Sequence, residues 1–588
     1  MKRMVVFFAL ACLIALPAMA VPGNSNGKAK MSSKVTDKAA KGGNEKIDVI
    51  VTYHQMPDAA ANARVKDLGG EVKRGYSNFP MHVISVPAHA LPNVMKGKDV
   101  KFVSLDSPVE GLSLAARQTA FVPEPGTGGF ASASTSFRVV VLDSGIYDHT
   151  DLKIKYQADI IPQDDACTEW DDDECGEYED SDDPFGHGTH VAGTIGGLGN
   201  YSDGLYPGVA PGAEFLSVRV LDENGQGVVS DVIAGLDWAL LYQEKMKIKI
   251  VNLSLGKAIE EAAADDPLVQ AVEAVWDAGI LVVCSAGNYG RDGNFTISSP
   301  GNSRKAITVG SLTDSGTGTD FSDDYPSTYS SQGPTLYDHF LKPDLLAPGN
   351  RFVAANADYS KLIHDLPDRV VSCGKSFCED EYLELSGTSM AAAVVSGAAV
   401  LMLSQDESLT PDTIKARLMR SARTIPGDPT TVGAGVLDVT AALNETGTAT
   451  LALSPIMNAS DEGPVLLVED TGVLWGDNQW SNSFIWNDSF IWNDSFIWAD
   501  GYIWADGFIW SDAYVWSETY IWSDTYIWAD GFIWADGFIW SDGYIWNDSF
   551  IWNDSFIWAD SFIWAEFVPN DDPLFATSVN TLTLSDDN

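Results

Sequence analysis

The sequence is short of positive charge. Its 588 residues carry 36 Lys and Arg against 82 Asp and Glu, a formal net charge of −46. Binding to nucleic acid needs Lys and Arg to neutralise phosphates, so this balance excludes nucleic acid as a partner. Residues 21–117 carry 14 basic against 9 acidic residues, and residues 118–588 carry 20 against 73. The asymmetry predicts a cationic leader that docks on the anionic remainder, although acidity that only keeps the remainder soluble fits equally well.

Long apolar runs are almost absent as well. The apolar run Met4–Leu16 follows Lys2 and Arg3 and precedes an A-x-A cleavage pattern that ends at Ala20. Residues 1–20 therefore have the pattern of a secretory signal peptide. No later segment is expected to span a membrane. The protein is predicted to be secreted, to an extracellular or periplasmic location.

Cysteine is scarce, and one of the six cysteines leaves with the signal peptide. Export permits disulfide bonds between the others. Cys284 lies in the apolar run GILVVCSAGN and is predicted to be a buried small hydrophobe rather than a reactive thiol. Two local disulfides are predicted from closeness in sequence, Cys167 with Cys175 and Cys373 with Cys378.

The amino-acid composition of the N-terminal part of the chain changes at Ile47. Residues 21–46 are rich in Lys, Gly, Ser and Asn, which is typical of a flexible linker. The segments that follow predict a strand (IDVIVTYH), a helix (DAAANARVKDLGG), a hairpin-like pair (EVKRGYSNFPMHVISVP), and a final helix and strand that end at SPV. A compact α+β unit is therefore predicted over residues 47–110.

From Arg138 to about Asn444, apolar strands alternate with helical patterns. RVVVLDSGI, EFLSVRVLD, IKIVNLSLG, GILVVCSAGN and AITVGSL are nearly continuous apolar runs, as in a parallel sheet covered on both faces. SDVIAGLDWALLYQE and DDPLVQAVEAVWDAG are capped amphipathic helices between them. The fold class predicted is α/β, with a doubly wound, mostly parallel sheet and functional loops at the carboxyl ends of its strands.

Four polar residues occupy positions that suit nucleophilic catalysis. Asp143 ends the strand RVVVL, His187 lies in the Gly-flanked turn of DPFGHGTHVAGTIGG, and Asn288 follows an apolar strand in SAGNYG. Ser389 opens the apolar helix SGTSMAAAVVSGAAVLML, where taken alone it would be only a small N-terminal residue of a core helix. Asp, His and Ser in this order are the members of a charge-oriented nucleophile system. His190 is predicted to be structural.

VVLDSGI, HGTHVAGTI and SGTSMAA resemble the three signature blocks of the subtilisin-like serine proteases, and the resemblance spans roughly residues 138–445. It implies a subtilisin-like fold and a serine endopeptidase that forms an acyl-enzyme. Ser389 would attack the scissile carbonyl, His187 would transfer the proton, and Asp143 would orient His187.

The resemblance also implies the residues around this triad. Asn288 matches the oxyanion donor of the family, and protein or peptide substrates would bind as an added β-strand. The backbone strands that would bind it match Gly225, Gly227, Ser254, Leu255 and Gly256. The family implies no cofactor for catalysis.

The segment 47–110 resembles the propeptide of these enzymes, an intramolecular inhibitor that is removed during maturation. The predicted organisation is a signal peptide (1–20), a linker (21–46), a propeptide domain (47–110), a peptidase domain (118–445), a linker (446–479), Trp-rich repeats (480–566) and a tail (567–588).

An acidic insertion, DIIPQDDACTEWDDDECGEYEDSDDP, separates Asp143 from His187. Hard cations need several oxygen ligands, so a structural calcium site is one interpretation of it. A solvated acidic loop is the alternative, because the spacing matches no defined calcium loop, and no metal ligands are assigned.

The C-terminal region repeats an aromatic-Ile-Trp unit, with fifteen tryptophans at every sixth position from Trp480 to Trp564. FIW is strand-like and NDS or ADG is turn-like, which predicts a β-solenoid module. A structural stalk is one role for it, and a face that binds a polysaccharide or surface polymer is the other. The rival hypothesis for the whole chain is a non-catalytic surface adhesin in which these repeats carry the function.

Overall fold

The computed structural model describes residues 30–97, 99–111, 136–161, 182–314, 323–372, 381–425, 427, 429–459 and 465–467, and the backbone of the strands between 484 and 567. The signal peptide, most of the acidic insertion and the four cysteines of the predicted disulfides lie outside the described residues. Those disulfides stay predictions.

A five-stranded sheet with three helices forms the N-terminal unit. Its strands are β1 (Lys30–Met31), β2 (Lys46–Tyr53), β3 (Glu71–Gly75), β4 (Met81–Pro87) and β5 (Val100–Leu105), and its helices are α1 (Ser33–Lys41), α2 (Ala59–Asp67) and α3 (Leu91–Val94). The strand order is β1-β5-β2-β4-β3, and β2 is antiparallel to both of its neighbours. From β2 onward these elements fall where the sequence patterns predict them.

The prediction of a flexible linker over residues 21–46 is wrong for its second half, which contains α1. The hydroxyl of Ser32 accepts a hydrogen bond from the amide of Val35 and caps this helix. Val35 is fully buried in the core of the unit, against the same apolar cluster as Val49 and Val51. This stretch is polar in composition, so the sequence did not indicate that Val35 would be buried and would anchor a helix.

The central domain is built on an eight-stranded sheet. Its main order is β15-β14-β13-β11-β7-β9-β8, with β16 beside β14, and every pairing is parallel except that of β15. A three-stranded sheet β10-β6-β12 and the ribbon β17-β18 accompany it. The strands are β6 (Pro108–Gly111), β7 (Arg138–Asp143), β8 (Lys153–Asp159), β9 (Glu214–Arg219), β10 (Gln226–Val228), β11 (Ile248–Leu253), β12 (Leu255–Gly256), β13 (Leu281–Ser285), β14 (Ile307–Thr313), β15 (Tyr325–Pro326), β16 (Leu345–Pro348), β17 (Phe352–Ala355) and β18 (Tyr382–Leu385).

Helices cover both faces of this sheet, as a doubly wound α/β fold requires. They are α4 (His187–Gly196), α5 (Val229–Met246), α6 (Pro267–Asp277), α7 (Lys361–Asp365), α8 (Thr388–Gln405), α9 (Pro411–Arg420), α10 (Pro429–Val432) and α11 (Val439–Asn444). Helix α4 packs on α8 and helix α5 packs on α6, and both pairs contact the sheet.

By length and composition α8 qualifies as a membrane span, against the expectation that no segment after the signal would do so. However, 89% of its apolar window is buried inside the protein. It is the central helix of the core, and its run of small side chains lets it lie close to the neighbouring elements.

Short strands follow the central domain and continue through the Trp-rich region. They are β19 (Met457–Ala459), β20 (Val465–Leu467), β21 (Phe484–Asn487), β22 (Phe490–Asn493), β23 (Phe496–Ala499), β24 (Tyr502–Ala505), β25 (Phe508–Ser511), β26 (Tyr514–Ser517), β27 (Tyr520–Ser523), β28 (Tyr526–Ala529), β29 (Phe532–Ala535), β30 (Phe538–Ser541), β31 (Tyr544–Asn553), β32 (Phe556–Ala559) and β33 (Phe562–Phe567). Strand β21 pairs in parallel with β24, three repeats further on, so that Trp486 is aligned with Trp504. The β-solenoid module stays a prediction.

Three buried charged side chains join the last strands and helices of the central domain. Lys342 Nζ lies 2.7 Å from one carboxylate oxygen of Asp344, and Lys415 Nζ lies 3.3 Å from the other, with all three side chains inaccessible to solvent. Lys415 Nζ also donates to Ser454 Oγ at 2.8 Å. Burial lowers the pKa of Lys415 to about 7 despite the opposing charge of Asp344. The single carboxylate therefore compensates two ammonium groups that have no access to water.

Removing that carboxylate should be costly. We expect Asp344→Asn to lower the free energy of unfolding by about 3–5 kcal/mol, because it leaves two buried lysines without a counter-charge. The exposed pair of Lys305 with Asp277 is a matched control, and Asp277→Asn should cost less than about 1 kcal/mol. Denaturant unfolding in a Ser389→Ala background, without the expected nucleophile, would measure both. Equal costs for the two substitutions would contradict this assignment.

Candidate active site

The four residues singled out from the sequence lie at the carboxyl edge of the parallel sheet. Asp143 is the last residue of β7, and His187 is the first residue of α4. Asn288 follows β13 after a short turn, and Ser389 is the second residue of α8. Parallel strands that end at one edge bring these loops and helix starts together.

Asp143 and His187 form a direct contact. Asp143 Oδ1 lies 2.6 Å from His187 Nδ1, and both side chains are fully buried. Burial alone would lower the pKa of His187, but the charge and hydrogen bond of Asp143 outweigh it and raise that pKa above its ordinary value. The other ring nitrogen, Nε2, has no hydrogen-bond partner among the described residues. It is the position on the ring that can accept a proton.

A second buried carboxylate, Asp183, holds the turn that presents His187. Its oxygens accept hydrogen bonds from the amides of Gly186 and Thr189, both at 2.8 Å, and from the hydroxyls of Thr189 at 2.6 Å and Ser144 at 2.7 Å. Ser144 also donates its amide to Asp143 and accepts from the amide at the start of α4. Asp183 thus connects the strand end that carries Asp143 to the helix start that carries His187.

No sequence motif distinguishes Asp183, because it stands among many carboxylates at the end of the acidic insertion. Its place four residues before His187, ahead of a Pro and a Gly, is the signal that could have identified it. Burial raises its pKa, although its four donors act in the opposite direction.

Ser389 is held by two hydrogen bonds with Ser254, at the start of the segment that contains β12. Its hydroxyl donates to the main-chain carbonyl of Ser254 at 3.0 Å, and the hydroxyl of Ser254 donates to the carbonyl of Ser389 at 3.0 Å. No hydrogen bond joins Ser389 Oγ to His187 Nε2, although both residues are described. Ser389 lies in the first turn of α8, where amide groups at a helix start stabilise negative charge.

The side-chain carbonyl of Asn288 accepts hydrogen bonds from the amide and the hydroxyl of Thr388, both at 3.1 Å. This fixes the orientation of the amide group and directs its nitrogen away from Thr388. The preceding residue, Gly287, has φ of +110°. A side chain there would be strained, and its Cβ would lie 2.4 Å from the hydroxyl of Ser298.

Four of the five residues expected to bind a substrate backbone flank a strand of the chain itself. Strand β6 lies between β10 and β12 and is antiparallel to both. Its residue Val109 pairs with Gly227, Glu110 pairs with Gly256, and Gly111 pairs with Leu255. The amide of Gly111 donates to the carbonyl of Gly225 at 3.0 Å. The fifth residue, Ser254, precedes this pairing and contacts Ser389.

Two further predictions concern residues outside this arrangement. His190 Nε2 lies 2.9 Å from the carbonyl of Leu383, and burial lowers the pKa of His190 to about 3. It is a neutral, structural histidine, as expected. Cys284 is a buried free cysteine, and burial raises its pKa to about 12, which keeps the thiol protonated and unreactive.

The calcium interpretation is not addressed by the structure, since most of the acidic insertion falls outside the described residues. Within the parts of the chain that are described, no group of three or more His, Cys, Asp or Glu side chains is arranged to hold a metal ion.

Comparison with known proteins supports the interpretation of the motifs. A family model described as "Subtilase family" matches residues 134–436. Serine protease AprX of Bacillus subtilis (strain 168) is 36% identical over 408 residues, which are 67% of this chain and 87% of that protein. Subtilisin E of the same organism is 29% identical over 418 residues, 70% of this chain and 94% of that protein.

Among solved structures, fervidolysin from Fervidobacterium pennivorans, described as a keratinolytic enzyme related to subtilisin, superimposes with a TM-score of 0.51 at 20% identity. The match covers 70% of this chain and 62% of the fervidolysin chain. At this identity the likeness concerns the fold, and it supports a subtilisin-like α/β architecture.

The role of Asp183 in positioning His187 can be tested by substitution. An Asn at this position offers one acceptor oxygen to four donors, so Asp183→Asn should displace His187 and lower kcat/KM for a peptide substrate by about 10- to 100-fold. The negative charge of Asp183 also raises the pKa of His187. Its removal should therefore move the acid limb of the pH profile of kcat/KM to lower pH.

The exposed Asp182 next to it provides the control, because Asp182→Asn should leave the acid limb where it is. A loss of rate in Asp183→Asn with an unmoved acid limb would indicate a purely structural role.

Proposed function

Because the chain belongs to the subtilase family and is a serine endopeptidase, we propose that Asp143, His187 and Ser389 carry out the hydrolysis and that the enzyme matures by cutting its own chain after β6. The observation that carries the proposal is the position of β6. It lies between β10 and β12 as a substrate would, with Gly111 beside the imidazole of His187.

The chemistry follows from the contacts of the three side chains. Ser389 Oγ turns from the carbonyl of Ser254 toward His187 Nε2, gives up its proton to that nitrogen and attacks the scissile carbonyl carbon. The imidazolium that forms is stabilised by Asp143 at Nδ1, and it passes the proton from Nε2 to the departing amine as the peptide bond breaks. A water molecule then gives a proton to His187 Nε2 and attacks the acyl carbon. The bond to Ser389 Oγ breaks, and Ser389 takes that proton back from His187.

The negative oxygen of the tetrahedral intermediate needs donors that are already oriented. Asn288 supplies its side-chain amide, held in place by Thr388, and the first turn of α8 supplies main-chain amides. Removing a side-chain donor of this kind typically costs about 10²–10³ in kcat. Catalysis by this route uses the side chains and amides of the chain itself.

The register of β6 selects the bond that is cut. Gly111 pairs with Leu255, and a bound strand that continued this antiparallel register would place its next residue opposite Ser254. Ser254 is the residue whose carbonyl accepts the hydroxyl of Ser389. The carbonyl of Leu112 is therefore the one expected at the nucleophile, and we propose cleavage of the Leu112–Ser113 bond.

The N-terminal unit acts as an inhibitor in this proposal because it fills the substrate cleft with its own strand. It is anchored away from the cleft as well. Arg74 pairs with Asp231 at 2.6 Å, and the carboxylate of Asp237 accepts the amides of Ser77 and Asn78 at 2.8 and 2.7 Å. These carboxylates belong to α5, so this helix is the main docking surface of the unit.

We also propose export, which rests on the signal-peptide pattern of residues 1–20. A stalk or a polymer-binding face remains the expectation for the Trp-rich repeats. The rival hypothesis of a non-catalytic adhesin has no support from the family comparison, since the relatives that match are named as proteases.

Self-processing can be tested by mass spectrometry of the exported protein. We expect the wild-type enzyme to begin at Ser113, while Ser389→Ala retains the N-terminal unit because the bond cannot be attacked. Ser386→Ala, at the end of β18, is a control that removes a nearby hydroxyl and should process normally. If the wild type and Ser389→Ala are trimmed at the same bond, self-processing is refuted.

The fit of Gly111 allows a second test of the register. A Cβ at this position would lie 3.5 Å from His187 Nδ1 and 3.4 Å from a methyl group of Leu221, which is ordinary contact. Gly111→Ala should therefore slow processing only slightly. Gly111→Val adds two methyl groups against the imidazole and should slow it by about tenfold or more. A time course of processing after synthesis would compare them, and equal rates for Ala and Val would contradict the register.

A further inference from the structure

The side chain of Glu110 contacts the enzyme through one tyrosine. The hydroxyl of Tyr289 donates a hydrogen bond to the carboxylate of Glu110 across 179 positions of sequence. Glu110 is the residue of β6 at which the pairings with both flanking strands overlap, with Gln226 on one side and Gly256 on the other. Its backbone position is therefore fixed by two ladders, and its side chain points toward Tyr289.

The neighbours of Glu110 face a different environment. Val109 is buried, with 1% of its surface exposed, and Gly111 lies against His187 and Leu221. Side chains alternate along a strand, so Val109 and Gly111 share one face of β6 while Glu110 faces the other way. Tyr289 therefore lies on the opposite face of β6 from His187 and Leu221.

Tyr289 is itself held firmly. Its amide donates to the hydroxyl of Ser331 at 3.1 Å, and its carbonyl accepts the amide of Asp292 at 3.0 Å. It directly follows Asn288, so the loop that presents the expected oxyanion donor also presents this phenol. Tyr289 as a whole is 37% exposed in the presence of Glu110, which places it at the edge of the cleft rather than in the core.

The phenol hydroxyl favours a carboxylate over other side chains. It can donate to an ionised acid in a charge-assisted hydrogen bond, which is roughly twice as strong as a bond to a neutral amide. Burial, with help from the bond to Glu110, raises the pKa of Tyr289 to about 12. The hydroxyl therefore keeps its proton, and remains a donor, at neutral and moderately alkaline pH, where a glutamate is ionised.

From these contacts we infer that Tyr289 is a specificity-determining residue that recognises an acidic side chain at the third position before the scissile bond. The inference rests on the proposed function, because it identifies the strand β6 with a bound substrate. The preferred peptide substrate then has an aliphatic residue at the fourth position before the cut, Glu at the third and Gly or Ala at the second.

The test uses decapeptides with the sequence of residues 107–116, Ser-Pro-Val-Glu-Gly-Leu-Ser-Leu-Ala-Ala, and a second peptide in which Gln replaces Glu. With the mature wild-type enzyme, kcat/KM should be about three- to tenfold higher for the Glu peptide. In Tyr289→Phe this ratio should fall close to one. Tyr325→Phe removes an exposed hydroxyl from β15, outside the cleft, and should keep the wild-type ratio.

A third peptide separates local recognition from the general repulsion of acids by an anionic protein. It carries Glu in place of Pro at its second position, which corresponds to the exposed Pro108, and Gln at the fourth. This peptide should gain nothing over the Gln peptide. An equal gain from Glu at both positions would overturn the role of Tyr289.

The outcomes distinguish the inference from the function on which it rests. Cleavage of the Glu and Gln peptides by the wild type with equal kcat/KM overturns the inference and leaves the proposed function intact. A preference for Glu that persists in Tyr289→Phe also overturns it. If no peptide is cut at Leu-Ser, or if Ser389→Ala cuts them equally well, the proposed function fails and the inference fails with it.

Discussion

Two carboxylates without access to water, Asp143 and Asp183, determine the arrangement at the edge of the sheet. Asp143 accepts hydrogen bonds from Ser144 and His187, Asp183 accepts them from Ser144, Gly186 and Thr189, and the hydroxyl of Ser144 connects the two carboxylates. Burial of an ionised carboxylate is costly unless hydrogen bonds offset it, so the segments that supply these donors have little freedom to rearrange. The donors in turn require close approach of main-chain segments: a Cβ on Gly188 would lie 2.0 Å from the carbonyl of Gly145. The position of His187 is thus a consequence of electrostatic compensation as much as of packing.

The sequence predicted the parts of the fold that depend on local periodicity. The apolar runs predicted the parallel strands and that Asp143 and Asn288 follow strands at the carboxyl edge of the sheet. It did not predict α1, whose stability comes from one buried valine on an otherwise polar helix. It did not separate β6 from the strand before it either. The reason is physical: β6 forms no pairing within its own unit, and its partners β10 and β12 lie more than a hundred positions further along the chain.

The site was predicted less completely than the fold. Asp183 and Tyr289 act through contacts that no spacing rule encodes, because one is a single carboxylate within an acidic run and the other is a single tyrosine after Asn288. Their roles become visible only when the donors around each group are known. The predicted disulfides and the calcium interpretation belong to segments outside the described residues, so they stay predictions.

Two ion pairs join the basic N-terminal unit to the acidic central domain. Lys34 pairs with Glu260, and Arg74 pairs with Asp231. The basic partner of each pair remains partly open to solvent, which weakens the attraction, so the pairs favour correct docking more than they hold the unit in place. The holding force is apolar: Tyr76 and Phe79 are buried in the same cluster as the core of the central domain.

A cut at Leu112–Ser113 removes none of these contacts. It converts an intramolecular contact into a bimolecular one, which lowers the effective concentration of the N-terminal unit but not its intrinsic affinity. Strand β6 would remain between β10 and β12 as a bound product, with Glu110 still on Tyr289. The contacts that select the bond would therefore also slow the dissociation of the N-terminal unit from the cleft. The strength of the Glu110–Tyr289 contact would set part of that dissociation rate.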